Sequence, residues 1–447
     1  MAAADLRRSL RLLDATTINL GTMLASGIFI TSASIARGIE GSVLHLAVWV
    51  VAGLFSVLGA LAIAELGAMM PEAGGIYVYL ERAFGPLWGF LYGWALFLAI
   101  QNGAIAAVAV ATATYVGWFV PLSENGVRLV AIASIAGLTG VNVRGVTAGA
   151  TVQNVLTIVK VAAVVILVAI ACASGDAANL RPYGPEGPWT SMLGPLGLAM
   201  VAALWCYDGW IHLSYIAGEV RDPDRTIPRA ALLSTLGCIA LYLALNLAYF
   251  LVLGAKGMAR SDLVASETAR LSIGPAGAGL VAALVAVSCL GANNGFILSG
   301  ARVYYAMARD GLFFRRLASV SPATAVPAAS LVVQGIWSCL LVFSGRYDQI
   351  FTYVIFVEFL FYALAAWAVV VLRRREPDAR RPYRVWGYPW TLILFIAFSA
   401  ALLANTIWSA PREAAIGLAA MIRGVPVFWY WDRKRRRAAR RPTGSSG

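Results

Sequence analysis

Two stretches carry residues that an apolar, helix-forming sequence would ordinarily avoid. One reads Asn19-Leu20-Gly21-Thr22-Met23-Leu24-Ala25-Ser26-Gly27-Ile28-Phe29, the other Leu204-Trp205-Cys206-Tyr207-Asp208-Gly209-Trp210. Glycine costs about 1 kcal/mol relative to alanine inside a helix. A charge at the centre of a lone membrane helix costs about 2.5–3.5 kcal/mol. For either stretch alone, close helix packing through small residues is an adequate reading. The alternative is a helix interrupted at mid-membrane depth, which has a chemistry of its own. It exposes N–H groups where its second half begins and C=O groups where its first half ends. The N–H groups suit a carboxylate and the carbonyls suit an ammonium, so together they describe an α-amino acid. This chemistry is binding, without bond making or breaking.

Other polar residues stand in apolar surroundings. Lys160 is alone in Val155-Leu156-Thr157-Ile158-Val159-Lys160-Val161, too deep to reach an interface comfortably. Glu358, in Tyr353-Val354-Ile355-Phe356-Val357-Glu358, has three roles open to it: pocket lining, proton coupling, or packing as a neutral acid. Glu65 lies near a segment end, where a loop partner suffices. Gln101, Asn102, Asn293 and Asn294 suit interhelical hydrogen bonds, and His212 a local one. The run Glu219, Arg221, Asp222, Asp224, Arg225 and Arg229 forms either a solvated loop or a gate of ion pairs. Intramembrane catalysis needs a nucleophile–base pair, paired aspartates or a metal cluster. Asp208 has no second aspartate at its depth, and the two histidines and five cysteines lack ligand spacing, which argues against an enzyme, a metal site or a cofactor.

These residues must be positioned by helices in a bilayer. Of 447 residues, 60% are hydrophobic and 13% charged, against roughly 25% charged in soluble domains. A span needs about 20 mostly apolar residues. Twelve segments qualify, at 12–36, 43–69, 86–119, 127–143, 151–173, 191–218, 229–254, 276–307, 327–343, 348–372, 386–409 and 412–431. With the N-terminus inside, twenty-five basic residues fall on the inner side and eight on the outer. That asymmetry places both ends in the cytoplasm. The net charge of +13 is therefore a topology signal and not a nucleic-acid footprint; much of it sits in Arg433-Lys434-Arg435-Arg436-Arg437 with Arg440 and Arg441. The apolar run after Arg7, Arg8 and Arg11 reads as a first span, not a cleaved signal.

The two unusual stretches lie in segments one and six. Five spans apart, they cross the membrane in opposite directions, the trace of an inverted repeat. The expected fold is an all-α polytopic membrane protein of twelve helices with breaks in the first and sixth. Its parts are a cytoplasmic segment at 1–11, repeats at 12–173 and 191–372, two peripheral helices within 386–431 and a basic tail at 432–447.

Four motifs in order bear a resemblance. Gly21-Thr22 with Ser26-Gly27-Ile28-Phe29 is similar to a G-T…G-S-G-I-F signature, with Ala25 in place of Gly. Ala64-Glu65-Leu66 and Pro71-Glu72-Ala73-Gly74-Gly75-Ile76-Tyr77-Val78-Tyr79 follow the second segment. Tyr207-Asp208-Gly209-Trp210 and Gly218-Glu219-Val220-Arg221-Asp222-Pro223 with Ile227-Pro228 surround the sixth. The chain resembles the amino acid–polyamine–organocation transporters, and among them the sodium-independent L-type amino acid transporters and their bacterial relatives. The resemblance implies a leucine-transporter-type fold working by alternating access in the cell membrane. Carried over, Ser26 and Gly27 meet the substrate carboxylate, and the carbonyls of Met23, Trp205 and Asp208 receive the amine. Trp205 closes over the substrate, with Thr22, Ile28, Cys206 and Gly209 completing the site. It further implies that Lys160 stands where a coupling sodium ion would be and touches the unwound first span, and that Glu358 lies near the substrate side chain. Animal relatives join an accessory subunit through a cysteine after span three. Pro121-Leu122-Ser123-Glu124-Asn125-Gly126 has none, so no disulfide-linked partner is expected. The runner-up is a carrier of cationic amino acids or polyamines.

Overall fold

A computed structural model describes residues 6–184, 188, 192–261, 263–345 and 347–439. Arg346, Arg440 and Arg441 lie outside them. The described residues form helices: α1 (Leu12–Met23), α2 (Gly27–Gly38), α3 (Ser42–Met69), α4 (Ile76–Phe84), α5 (Pro86–Ala95), α6 (Gln101–Val116), α7 (Glu124–Val143), α8 (Val146–Ser174) and α9 (Leu193–Tyr207). After these come α10 (His212–Tyr215), α11 (Pro223–Arg260), α12 (Val264–Ile273), α13 (Ala276–Arg309), α14 (Ala328–Ser344), α15 (Tyr347–Arg375), α16 (Trp390–Ser409), α17 (Pro411–Ile422) and α18 (Gly424–Ala439). Among the described residues ten helices, some formed by joining neighbours, are long and apolar enough to cross a membrane. The bent pair α1 and α2 makes an eleventh, and α14 is a shorter apolar helix of 17 residues.

The apolar segments become helices because nothing within them competes for the backbone, and they end at glycine, proline or charge. Gly41, Gly85 and Gly145 take positive φ where α3, α5 and α8 begin. Two short helices were not expected from apolar length: α4, whose Arg82 marks its polar side, and α12. A π-helical turn at Leu96–Ile100 joins α5 to α6. Such a turn leaves a carbonyl without its usual partner, and Asn102 Nδ2 donates to Phe97 O at 2.6 Å.

α1 packs against α8, α11 and α13, so the first break is enclosed by three long helices. Trp49, Tyr207 and Tyr242 meet in an aromatic cluster with ring centroids 4.9–6.0 Å apart. Glu65, whose carboxylate is buried, is matched by Arg373 (Nε 2.8 Å, Nη2 2.6 Å) and by the Val385 N–H at 2.7 Å. A buried carboxylate left without such partners would cost several kcal/mol.

Candidate functional site

α1 ends at Met23 and α2 starts at Gly27, with a 42° bend between them. Leu24 leaves helical geometry at φ −76°, ψ 68°. The N–H groups of Gly27 and Ile28 stand at the opening turn of α2, where a helix supplies no acceptor of its own. On the other side of the gap the freed carbonyls are held by neighbours. Lys160 Nζ donates to Gly21 O at 2.6 Å and Leu24 O at 2.8 Å, and lies 3.5 Å from Ser288 O. An ammonium has three hydrogens, and here three carbonyls surround it. Ser288 Oγ adds a second donor to Leu24 O at 2.7 Å. Lys160 is only 1% exposed, so the snorkelling alternative is not realised.

The local sequence explains this reach. Gln153, Thr157 and Lys160 are spaced to share one face of α8. A Cβ on Gly21 would stand 2.0 Å from Gln153 Nε2 and 2.5 Å from Thr157 Oγ1. The missing side chain lets α8 lie flush on α1, and Thr157 Oγ1 donates to Thr17 O at 3.1 Å.

In the sixth segment α9 continues through Trp205 and Cys206 to Tyr207, and irregular backbone occupies 208–211. The interruption thus begins later than residue 205, because the Asp208–Gly209 pair is what stops the helix. Asp208 is extended at φ −60°, ψ 134°, and Gly209 has φ +134°. A Cβ on Gly209 would come within 2.9 Å of Met23 N and 3.0 Å of Thr22 C. Only glycine meets both demands. A Cβ on Gly27 would approach Cys206 Sγ at 2.9 Å, so the two breaks face each other. Thr22 Oγ1 to Gly209 O, at 3.2 Å, joins them directly.

Tyr242 was not singled out by the sequence, yet its hydroxyl lies 2.7 Å from Met23 O and 2.9 Å from Cys206 O, one acceptor from each break. Two of the carbonyls expected to receive an amine, those of Met23 and Trp205, thus already accept hydrogen bonds. Met23 O also accepts from Ala25 N at 2.8 Å, and Trp205 O accepts from Asp208 N at 3.1 Å. A tyrosine, one of two in a charge-free apolar span with Tyr249, is the available signal.

A cavity of about 240 Å³ opens between the breaks, lined in part by Thr22, Met23, Ser26, Gly27, Trp205, Cys206, Asp208 and Glu358. Its size is below the roughly 300–1,000 Å³ typical of drug-sized ligands. Ile28, Gly209 and Lys160 are not on its wall; Lys160 and Gly209 act on the breaks from behind. His212 lines it and meets Ser299 Oγ on α13 at 2.7 Å, a partner from another helix instead of a local one. Asp208 and Glu358, far apart in sequence, converge on Tyr362, whose hydroxyl lies 2.8 Å from Asp208 Oδ1 and 2.7 Å from Glu358 Oε1.

The wall runs along α6 from Gln101 to Ala111, toward the Val116 end. Toward the other end the packing is closed. The hydroxyls of Tyr92 and Tyr215 touch, and Asn19 Nδ2 reaches Ser234 Oγ at 2.8 Å. Beyond them Arg302 pairs with Glu219 at 2.7 and 3.1 Å, both side chains essentially inaccessible. Ser9 N and Leu10 N both donate to Glu219 O at 2.9 Å, and Arg221 N donates back to Leu10 O at 2.8 Å. At the rim Arg82 binds Glu376 at 2.8–2.9 Å, and that guanidinium holds the Glu376 carboxyl below its ordinary range.

Residues 10–425 match the family described as amino acid permease. The chain is 32% identical over 438 residues to a b(0,+)-type amino acid transporter 1 of Mus musculus, covering 96% of this chain and 89% of that one. It is 31% identical to the large neutral amino acids transporter small subunit 2 of Homo sapiens, covering 96% and 82%. It is 30% identical to a serine/threonine exchanger of Bacillus subtilis (strain 168), covering 97% and 98%.

Proposed function

The chain belongs to the amino acid permease family, and from that premise we propose a sodium-independent amino acid carrier that works by exchange or proton coupling. The observation that carries the site assignment is the cavity between two facing helix breaks. The substrate carboxylate docks at the N–H groups of Gly27 and Ile28 and at Ser26, where the N-terminal end of α2 favours negative charge. The ammonium takes a carbonyl from the ends of α1 and α9, displacing the Tyr242 hydroxyl from Met23 O or Cys206 O. Trp205 covers the bound molecule.

Twelve crossings follow if α14 spans as a short helix and α1 with α2 counts as one. Broken spans one and six then belong to inverted repeats, with both termini cytoplasmic. In that orientation the cavity opens outward and the Tyr92–Tyr215 and Glu219–Arg302 contacts close the inner side. Lys160 supplies the positive charge that a sodium ion would otherwise bring, tying the shape of the first break to α8. Loop 121–126 lacks cysteine, so the carrier functions without a disulfide-linked subunit.

A second reading is favoured by one observation: two carboxyls line the same cavity, which suits a cationic side chain. The test is counterflow in liposomes with labelled neutral, cationic and diamine substrates, with and without sodium and a pH gradient. Uptake that needs sodium, or counterflow by none of these substrates, would overturn the proposal.

A further inference from the structure

A tyrosine hydroxyl has one hydrogen, and Tyr362 presents it to two carboxyl oxygens at 2.7 and 2.8 Å. It can donate to only one of them. The second oxygen sits at hydrogen-bond distance from a hydroxyl lone pair, a contact that becomes favourable when that oxygen carries an O–H and donates it. The contact pattern of Asp208, Tyr362 and Glu358 is therefore satisfied by one carboxylate and one carboxylic acid. Two ionised carboxyls would leave a lone-pair repulsion unrelieved in a low-dielectric wall.

The surroundings supply no other counter-charge. Among the described residues lining the cavity there is no lysine or arginine, and Lys160 is committed to the first break. The titratable groups facing the pair are Tyr92 from α5, Tyr215 from the end of α10 and His212 from its start. Tyr92 and Tyr215 touch through their hydroxyls, and Tyr304 of α13 lies behind Tyr92. His212 engages Ser299. On α3, Glu65 is consumed by Arg373 at the far end of α15. α16 brings the aromatic ring of Phe395 onto Trp210, beside Tyr362.

We propose that Asp208 and Glu358 on the cavity wall, bridged by Tyr362, bind either a proton or the cationic end of a substrate side chain, and exchange one for the other. This rests on the amino acid reading above and adds to it a rule for charge. With a neutral substrate the pair keeps its proton and contributes one negative charge. When lysine or arginine enters, the carboxylic O–H breaks, its proton leaves to water at the cavity mouth, and the substrate's N–H groups close on both carboxylates. The pair then carries two negative charges and the side chain one positive. The net charge of wall plus side chain is the same in both states, so neutral and dibasic substrates present the closing carrier with equal charge to bury. Coupled sites of this kind titrate as a pair.

The experiment is equilibrium binding of labelled lysine and labelled leucine to the purified full-length carrier at pH 5.5, 6.5 and 7.5, with proton release followed by a dye in weak buffer. Lysine should release about one proton per molecule bound, and its affinity should rise up to tenfold per pH unit while the pair is protonated. Leucine should release none and vary little. In Glu358→Gln the pH slope for lysine should vanish. Tyr362→Phe should move the midpoint of the lysine profile without moving leucine, whereas a merely structural tyrosine would weaken both alike. Equal pH profiles for the two ligands, or leucine binding without lysine binding, would overturn this proposal and leave the amino acid site standing. Binding of neither at any pH would remove both.

Discussion

The two breaks face each other and share one outside donor, Tyr242, but differ in how much their own backbone contributes. The first is restrained from outside: Lys160, Ser288 and Tyr242 supply donors to Gly21, Leu24 and Met23. The second also takes outside contacts, from Tyr242 at Cys206 O, Thr22 at Gly209 O and Tyr362 at Asp208, but adds a restraint of its own sequence, because Gly209 takes a conformation few other residues accept. A loop held by neighbours responds when they move. A loop fixed by its backbone is a rigid counterpart. The first break thus depends on its neighbours alone, and the second adds a backbone that only glycine accepts.

Four substitutions and one titration divide these roles. Lys160→Ala removes a buried ammonium whose hydrogen bonds tie α8 to α1, at about 1–3 kcal/mol for each buried carbonyl left without a donor. Substrate affinity or exchange should fall at least a hundredfold, read by counterflow in protein that remains monodisperse; near-normal exchange would show that the first break needs no cation. Gly209→Ala combines a strained φ with a backbone collision, worth roughly 1–3 kcal/mol for the strain alone. A drop of tenfold or more in binding is expected, and wild-type affinity would show the second break to be adjustable. Tyr242→Phe removes the hydroxyl shared by Met23 O and Cys206 O; Met23 O keeps Ala25 N, so the cost of about 1–3 kcal/mol falls on Cys206 O. If the substrate amine supplies that donor instead, the empty carrier loses more than the loaded one. Ligand-dependent thermal stabilisation should then increase in the variant, and an unchanged increment would separate Tyr242 from the site.

Ser288→Ala removes one of two donors to Leu24 O, about 0.5–1.5 kcal/mol, so a two- to tenfold loss is expected. A loss as large as that of Lys160→Ala would mean the serine, not the ammonium, sets the break. The rim supplies the smallest effect. Glu376 has a carboxyl pKa held below its unfolded value by Arg82. Its contribution is therefore complete above the unfolded carboxylate range and is lost as pH falls through the lowered folded value. Exposed pairs of this type contribute roughly 0.2–1 kcal/mol, so Glu376→Gln should flatten the acid limb of a thermal-stability profile by no more than that.

Local sequence could show that a helix would be interrupted, because glycine, serine and aspartate cost too much at mid-span to be idle. It could not show where the interruption would fall to the residue. Trp205 and Cys206 remain helical since nothing before Asp208 opposes the helix, and Met23, although followed by a loop, closes α1. Lys160 was conspicuous as a lone cation, but its acceptors are backbone groups, which no side chain announces. Asp208 and Glu358 read as separate lone charges. Their meeting through Tyr362 depends on how α9 and α15 cross, and the tyrosine is one aromatic among many in an apolar run. Tyr242 and Ser288 were missed for the same reason: each is an ordinary residue made important by what lies opposite. Of the run after α10, sequence leaves loop or gate open; Glu219 is buried in an ion pair with Arg302, a partner outside that run.

That last pair has a consequence for how the closed end yields. Separating Glu219 from Arg302 in a dry interior would expose two bare charges at once, a cost far above thermal energy. Hydrated, each recovers its solvation as it loses its mate. In the opening proposed for this end, parting would therefore follow wetting, with water reaching the two ions before the helices separate.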